Sequence, residues 1–224
     1  MYPRQAAIVR SGSAREEPRW SYRSSSTWGI PDLLPEMLAT EVPVGLQPYR
    51  AGRNVARAGE ALCFFVDDYR FACAWTYPRR MVAGLLERGW SVACEPDFST
   101  WRDMPRAEQL HAVYRSRWCG RFWQEHGLKV IPVGNWSDRA SYDWCFDGVP
   151  SGVPVVAVEY RPHPLWRGEW LSGYRELLSR WRPGVVLVYG RIDDELADCG
   201  HANMREYAAF TPTRGHAAHL LGGG

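Results

Sequence analysis

The sequence has almost no lysine, and arginine supplies nearly all of its positive charge. Lys129 is the single lysine in a chain of 224 residues whose formal net charge is +2. So small a net charge does not predict a global electrostatic grip on nucleic acid, although it leaves room for a local basic face. A GC-rich genome explains the arginine bias most simply, but arginine also binds carboxylate or phosphate in a bidentate manner.

Long apolar runs and paired cysteines are also missing. No apolar stretch approaches the roughly 18 residues of a transmembrane helix, and the N-terminus lacks the hydrophobic region of a signal peptide. The six cysteines form no C-x-x-C pair, and Cys63 and Cys94 lie in apolar runs that are typical of buried thiols. We therefore expect a cytoplasmic protein that neither spans a membrane nor contains disulfides.

The composition is that of an ordinary globular protein, with 46% hydrophobic and 23% charged residues. The chain is short enough for one domain, because compact domains reach about 250 residues before they split. We expect a flexible N-terminal arm over residues 1–27, a single α/β domain over residues 28–214 and a flexible Gly-rich tail over residues 215–224.

Apolar runs alternate with helical patterns along the expected domain. The predicted strands cover residues 44–49, 61–66, 90–94, 128–133, 153–160, 185–190 and 206–210. The predicted helices cover residues 33–39, 78–89, 105–127, 141–146, 168–184 and 193–200. Continuous apolar strands separated by helices indicate an α/β fold with parallel strands. We favour a small or incomplete (β/α) barrel over an open doubly wound sheet, because no G-x-G-x-x-G motif or P-loop follows the first strand of this repeat and the units fall short of eight.

Polar side chains collect directly after five of the predicted strands. Parallel α/β folds bind ligands at the carboxyl ends of their strands, because loops from several units converge there. In chain order, these exits carry Asp67, Asp68, Tyr69 and Arg70; Glu95, Asp97, Ser99 and Arg102; Asn135, Trp136, Ser137 and Asp138; Glu159, Tyr160 and Arg161; and Tyr189, Arg191 and Asp193. At least three exits carry carboxylates, so we expect a shared acidic pocket at this edge.

Three acids from three different exits are the candidate catalytic residues: Asp67, Asp97 and Asp138. The candidate substrate-binding residues are Asp68, Arg70, Glu95, Arg102, Asn135, Trp136 and Glu159. Glu95 ranks behind Asp97, because alternation along the strand end can turn its side chain away. A structural role stays open for each residue, since acids after strands often cap the next helix and Asp–Arg pairs often bridge loops.

Two chemistries suit clustered carboxylates with arginine and aromatic neighbours. Two acids can act together in glycosidic cleavage, one as the proton donor to the leaving group and the other as the nucleophile or as the base that activates water. Alternatively, hard oxygen ligands can hold Mg²⁺ for phosphoryl transfer or phosphodiester hydrolysis, which makes Mg²⁺ the cofactor we consider. Histidine is scarce at these strand ends, which disfavours zinc. Tyr69, Trp101, Trp136 and Tyr160 have rings that can stack a sugar or a base, although Trp in such loops often only packs as part of a lid.

The order of several segments resembles a known family. These segments are "FFVDDYRF", "PDFSTWRDMP", "YRSRWCGRFWQEHGLKVIPVGNWSD", "SYDWCFDGVP" and "VVLVYG", between Phe64 and Gly190. They resemble the bacterial and phage family catalogued as domain of unknown function 4417. The resemblance implies a protein of phages, plasmids or other mobile elements, with no assigned activity and often with a Gly-rich tail. Asp67, Asp68, Arg70, Asp97, Arg102, Asp103, Trp136, Asp138, Asp147 and Gly148 fall in the motif-like stretches, whereas Glu159, Tyr160 and Arg161 lie in a more idiosyncratic strand.

The leading hypothesis is a hydrolase or transferase of a mobile element that acts on a sugar, nucleoside or nucleic-acid substrate. Asp97 would be the nucleophile or base, Asp67 and Asp138 the partner acid or metal ligands, and Arg70 and Arg102 the anion-binding groups. The alternative is a non-catalytic module that binds nucleic acid, a nucleotide or a protein through arginine and aromatic residues. In a third hypothesis the acidic loops only lock one another in place. The sequence leaves the substrate, the metal and the oligomeric state open.

Overall fold

The computed structural model describes residues 21–201 and 203–208. The expected tail, residues 215–224, lies outside the described residues, as do residues 1–20 of the expected arm. Residues 21–27 pack on the rest of the chain: the ring centroid of Tyr22 lies 5.7 Å from that of Trp118. Ser26 Oγ donates a hydrogen bond to Asp147 Oδ2 at 2.5 Å. Among the described helices, none is long and apolar enough to cross a membrane.

Strands and helices alternate along the described chain, as predicted. The strands are β1 Gly45–Pro48, β2 Glu60–Cys63, β3 Val92–Cys94, β4 Lys129–Ile131, β5 Val133–Gly134, β6 Val155–Tyr160, β7 Val185–Gly190 and β8 Met204–Tyr207. The α-helices are α1 Asp68–Phe71, α2 Cys73–Thr76, α3 Pro78–Glu87, α4 Arg106–Glu125, α5 Arg167–Trp181 and α6 Asp194–Ala197. Short 3-10 helices cover Pro35–Met37, Arg139–Asp143 and Pro164–Trp166. The sequence did not predict α1, α2 or the last of these 3-10 helices.

Helix ends follow local backbone chemistry. Pro78 opens α3, where its missing N–H costs nothing because the first turn of a helix leaves that group unpaired. Gly127 follows α4 with a φ of +90°, a conformation that glycine adopts without steric cost. Arg182 ends α5 in the left-handed conformation, with a φ of +46°, and Pro183 then prevents continuation of the helix. The helix therefore stops at Trp181 rather than at the predicted residue 184.

All described strand pairings are parallel. The strand order is β1-β2-β3-β4 in one sheet and β5-β6-β7-β8 in the other. Only Pro132 separates β4 from β5, and its carbonyl accepts a hydrogen bond from the Ala157 amide at 2.9 Å. Proline has no N–H to donate to a strand ladder, so the single strand predicted over residues 128–133 is interrupted here. The two sheets thus continue into one another at Pro132.

The two sheets curl around a shared inner core. Phe65, just beyond β2, stacks on Tyr189 of β7 with ring centroids 5.0 Å apart. In a flat sheet the intervening strands, each about 4.8 Å from its neighbour, would hold these rings far apart. No ladder joins β8 to β1 among the described residues, but the Tyr207 hydroxyl donates a hydrogen bond to the Pro43 carbonyl near the start of β1. This curvature fits the predicted incomplete (β/α) barrel.

Successive residues of a strand contribute to different cores. Cys63 of β2 belongs to the inner core, whereas Leu62 packs outward in a cluster with Trp123 of α4. On the other half of the molecule, Val188 of β7 packs outward with Leu177 of α5. Each fully buried side chain of this size contributes about 1.5–3 kcal/mol to folding relative to an exposed one. The helices therefore cover the outside of the curled sheets and leave the carboxyl ends of the strands accessible.

Candidate functional site

A cleft formed by two cavities lies at the carboxyl ends of the strands. The smaller cavity has a volume of about 280 Å³ and the larger one a volume of about 660 Å³. Both are lined by Asp97, Ser99, Trp101, Glu159 and Arg161. These shared residues follow β3 or lie at the end of β6. The cleft is where parallel α/β folds bind ligands.

Asp97 is half-buried, and it lines both cavities. Burial holds the pKa of its carboxyl well above the usual range, and the negative charge of Glu159 raises it further. Asn135 opposes this shift, because its Nδ2 donates a hydrogen bond to Asp97 Oδ1 at 2.7 Å. In the described part of the chain, no Arg, Lys or His side chain forms an ion pair with Asp97.

Asn135 is held in one orientation by three hydrogen bonds. Its Nδ2 also donates to the Phe98 carbonyl at 3.0 Å, and its Oδ1 accepts from Thr100 Oγ1 at 2.6 Å. The accepting oxygen is thus committed to the loop after β3, and the donating nitrogen faces Asp97. The loops after β3 and β5 are therefore joined at the base of the cleft.

Glu159 is the second carboxylate shared by the two cavities. It lies near the end of β6, and its Oε1 accepts a hydrogen bond from Arg161 Nε at 2.9 Å. Its side chain is 31% exposed, so water and a guanidinium both reach it. Asp97 has no such guanidinium partner among the described residues. The two acids therefore occupy contrasting environments, an arrangement that separates proton donors from bases in many active sites.

The loop after β2 brings two more candidate acids to the larger cavity. Asp67 is well exposed, with Arg70 Nε 3.1 Å from its Oδ2, and both residues line that cavity. Asp68 also lines it and accepts hydrogen bonds from Ser99, at 2.8 Å from Oγ and 3.2 Å from the amide. Asp68 thus ties the loop after β2 to the loop after β3.

Glu95 lies on the opposite side of the strand end from the cleft. It is fully buried beneath α4, where its Oε2 accepts hydrogen bonds from Arg117 and, at 2.9 Å, from the Val133 amide. Burial raises the pKa of Glu95, and the positive charge of Arg117 counters part of that effect. The structure places this ion pair in the layer between sheet and helix, away from the lining of both cavities.

Asp138 is absent from the lining of both cavities, and local partners occupy its carboxylate. It caps the 3-10 helix that follows β5, accepting a hydrogen bond from the Ala140 amide at 3.0 Å. Arg106 binds both carboxylate oxygens at 2.8 Å and lowers the pKa of Asp138. Of the three candidate catalytic aspartates, the structure brings only Asp67 and Asp97 to one cleft.

The remaining candidates divide between the wall of the cleft and its surroundings. Trp136 forms a wall of the smaller cavity, with its ring centroid 5.0 Å from that of Trp170. Arg102 does not line either cavity; its Nη1 pairs with Glu169 Oε2 at 2.7 Å, and its guanidinium lies over the ring of Trp166.

Arg50, Arg161 and Trp170 also line the cleft, although they were not among the candidate site residues. Arg161 stood at a predicted strand exit, so a signal for it existed. Trp170 lies in the first turn of α5, and the first turn after a βα loop is close to the carboxyl end of the strand. Its position in the predicted helix was therefore informative. Arg50 follows the weakly predicted β1.

The donors of the cleft are of the type that Mg²⁺ prefers, but they form no dense cluster. Residues 21–201 and 203–208 contain no group of three or more His, Cys, Asp or Glu side chains placed to hold a metal ion. Mg²⁺ is commonly bound by one or two carboxylates together with substrate phosphates. Asp97 and Glu159 are the residues that would supply carboxylate oxygens at the centre of the cleft.

Comparison with known proteins identifies the family. The model of the domain of unknown function DUF4417 matches residues 22–208, which include every strand and helix described above. The Gene 1 protein of Mycobacterium phage D29 is 41% identical over 197 residues, covering 86% of this chain and 70% of that relative. The Gene 1 protein of Mycobacterium phage L5 is 39% identical over 201 residues, covering 88% of this chain and 85% of that relative. No solved structure matches this chain. The chain belongs to the DUF4417 family.

Proposed function

We propose that the cleft is the active site of a hydrolase or transferase that acts on a glycosyl or phosphoester bond of a sugar, nucleoside or nucleic-acid substrate. Asp97 is the proposed general acid, and Glu159 is its partner carboxylate. One observation carries the proposal: Asp97 is partly desolvated, which raises its pKa, has no cationic partner among the described residues, and lines both cavities together with Glu159.

The environment of Asp97 suits proton donation. A carboxyl whose pKa is raised stays protonated closer to neutral pH and can protonate a leaving-group oxygen or nitrogen as the bond breaks. Glu159, which is partly exposed and paired with Arg161, supplies the negative charge that a nucleophile or a general base needs. Bond cleavage would then use the proton of Asp97 and either direct attack by Glu159 or attack by a water that Glu159 deprotonates.

The same observation bears on the choice between the two chemistries. A carboxylate must lose its proton to bind a metal ion, so a raised pKa weakens Mg²⁺ binding by Asp97 near neutral pH. Glycosyl chemistry by two acids therefore draws more support than metal-assisted phosphoester chemistry. We further propose a cytoplasmic site of action, because all six cysteines are free thiols.

The rival function is a non-catalytic binding module. The exposed rings of Tyr69, Trp101 and Trp166, all in loops or short helices beyond strand ends, favour it. A binding module would retain its ligand when Asp97 is changed to Asn, and it would turn over no substrate.

The test is a substrate screen with matched variants. The purified chain is incubated with aryl glycosides, nucleosides and dinucleotides, in Mg²⁺ and in a chelator, alongside Asp97→Asn, Glu159→Gln and the control Asp103→Asn. Asp103 is an exposed acid of the same loop that lines neither cavity. We expect Asp97→Asn to lower turnover by about 100-fold or more, since general acids contribute on the order of 10²–10⁴. Turnover in a folded Asp97→Asn variant equal to that of the wild type would exclude the proposed role.

A further inference from the structure

We infer that the ligand of the cleft is a nucleotide unit, whose base stacks on Tyr69 and Trp101 and whose phosphate binds arginines of the larger cavity. This inference rests on the proposed function, because it names the substrate class of the same cleft. The shared chemistry is a planar aromatic base joined through a sugar to a phosphate. Such a unit occurs as a free nucleotide or within a single-stranded nucleic acid.

Exposed aromatic rings at the mouth of the cleft provide the first argument. Tyr69 is 73% exposed and Trp101 is 65% exposed, whereas most large aromatic side chains of the chain are buried. Both rings line the larger cavity, and they come from the loop and helix after β2 and from the loop after β3. Leaving apolar rings in water forgoes the stabilisation of burial, and a stacking partner recovers it. A base is such a partner, because every base offers a flat π-face.

Arginines on one side of the cleft provide the second argument. The larger cavity is lined by Arg50, Arg70 and Arg161, whereas Arg161 is the single arginine that lines the smaller one. Arg161 also reaches a third cavity of about 810 Å³, which Arg167 and Arg191 line as well. Guanidinium groups bind phosphate through paired N–H donors. The side of the cleft that presents the exposed rings therefore also presents guanidinium groups that can bind an anion.

The acids among these arginines limit the ligand to few phosphates. Asp67 pairs with Arg70, and Glu159 pairs with Arg161, so the basic groups do not form a continuous positive track. A long polyanion would also meet these carboxylates along such a surface. The charge pattern fits one or two phosphates and predicts a weak salt dependence of binding. The logarithm of the binding constant should fall with the logarithm of the salt concentration with a slope of about −0.7 for each phosphate contacted.

The two acids line the same larger cavity as these binding elements. Asp97 and Glu159 are shared by the smaller and the larger cavity, whereas Tyr69 and Arg70 line only the larger one. A nucleotide with its base on Tyr69 and Trp101 and its phosphate on the arginines would direct its sugar toward the acid pair. An uncharged sugar alone would use none of the arginines.

The experiment is calorimetric titration of the full chain with AMP, adenosine, inorganic phosphate and a single-stranded hexanucleotide. We expect AMP to bind about tenfold more tightly, or better, than adenosine or inorganic phosphate, because charge-assisted hydrogen bonds add to stacking. If the hexanucleotide binds more tightly than AMP, the ligand is a nucleotide unit within a single-stranded nucleic acid. If AMP binds more tightly than the hexanucleotide, the ligand is a free nucleotide. AMP binding no tighter than that of either component would overturn the inference.

Matched variants separate the two contacts. Trp101→Ala should weaken the binding of both AMP and adenosine by about tenfold. Arg70→Gln should weaken the binding of AMP and leave that of adenosine unchanged. The controls are Trp28→Ala and Arg139→Gln, two exposed residues that line neither cavity of the cleft. If all four variants bound AMP and adenosine as tightly as the wild type does, the inference would also be overturned.

The same titrations distinguish this inference from the proposed function. Absence of AMP binding, together with Asp97-dependent cleavage of an uncharged glycoside, would overturn the nucleotide inference and leave the proposed function intact. Tight AMP binding by both the wild type and Asp97→Asn, with no Asp97-dependent turnover, would support the inference and exclude the proposed function.

Discussion

Asn135 Nδ2 lies 2.7 Å from Asp97 Oδ1 and donates the one hydrogen bond that the Asp97 carboxyl receives within the described residues. This bond stabilises the ionised form of Asp97, but burial and the nearby charge of Glu159 outweigh it. The balance keeps the proton on Asp97 at a pH where an exposed aspartate has lost it. The protonation state of Asp97 is thus set by the loops after β3 and β5 together with the end of β6.

Replacing Asp97 by Asn should stabilise the protein at high pH. The pKa of Asp97 is raised in the folded state, so its favourable contribution is complete below the unfolded pKa of about 4 and is lost as the pH rises through the folded pKa. Asn stays neutral throughout. We expect Asp97→Asn to melt a few degrees above the wild type at pH 8, where 1 kcal/mol corresponds to about 2–4 °C for a chain of this size.

The measurement is thermal unfolding between pH 4 and pH 8, with Asp103→Asn as the control. The difference between Asp97→Asn and the wild type should shrink toward pH 4, because Asp97 is then protonated in the folded state and about half protonated in the unfolded state. A difference that is constant with pH would contradict the raised pKa.

Removing Arg117 should strongly destabilise the fold. Arg117 is buried against Glu95, and its Nε donates to the Asp147 carbonyl at 3.0 Å. Arg117→Met leaves the carboxylate of Glu95 buried without its cation, a change that costs about 3–5 kcal/mol for such pairs. Urea unfolding would measure the loss. The double variant Glu95→Leu/Arg117→Met should be less destabilised than Arg117→Met, and a larger loss in the double variant would show that the pair is not the cause.

Adding a methyl group at Gly173 should disturb a wall of the cleft. A Cβ at Gly173 of α5 would lie 2.1 Å from Nε1 of Trp136, which lines the smaller cavity. We expect Gly173→Ala to cost about 1–3 kcal/mol through overpacking and to weaken any ligand of the smaller cavity. Gly168→Ala is the control in the same helix, because its Cβ would meet no atom within 4 Å. It should be neutral or stabilising by up to about 1 kcal/mol.

Removing the carboxylate of Asp138 should affect stability and not turnover. Asp138→Ala loses a helix cap, which typically costs about 0.5–2 kcal/mol. Because the pKa of Asp138 is lowered, its contribution is present above the unfolded pKa of about 4 and disappears as the pH falls through the folded pKa. Chemical unfolding at pH 7 and pH 2.5 would measure the free energy of unfolding of Asp138→Ala and of the wild type. We expect the variant to be less stable than the wild type at pH 7 and the difference to be smaller at pH 2.5. A loss of turnover without a loss of stability would restore Asp138 to the catalytic candidates.

Apolar runs and helix-boundary residues predicted most of the fold. The continuous run "VVLVYG" became β7, and Pro78 marked the start of α3, because burial on both faces and proline geometry are local signals. The break at Pro132 had a signal in the proline itself, which cannot donate within a central strand. Curling of the sheets depends on contacts such as that of Phe65 with Tyr189, which no local pattern reveals.

The candidate site was predicted as far as the strand-end rule extends. The rule that parallel folds bind ligands at the carboxyl ends of their strands predicted that Asp67 and Asp97 line one cleft, as they do. It succeeded there because it depends only on parallel topology. It could not tell that Asp138 would turn toward Arg106, since side-chain direction after a strand depends on tertiary partners. The pairing of Glu95 with Arg117 could not be predicted from the sequence either, because Arg117 approaches from a helix that crosses behind the strand.

The interruption at Pro132 has a consequence for the spacing of the acid pair. Asp97 follows a strand of the sheet before this proline, and Glu159 lies on a strand of the sheet after it. The gap between their carboxyl groups is therefore set by how the two halves of the molecule meet, and no single loop controls it. A rotation of one half against the other would open or narrow the gap and so alter both acids at once.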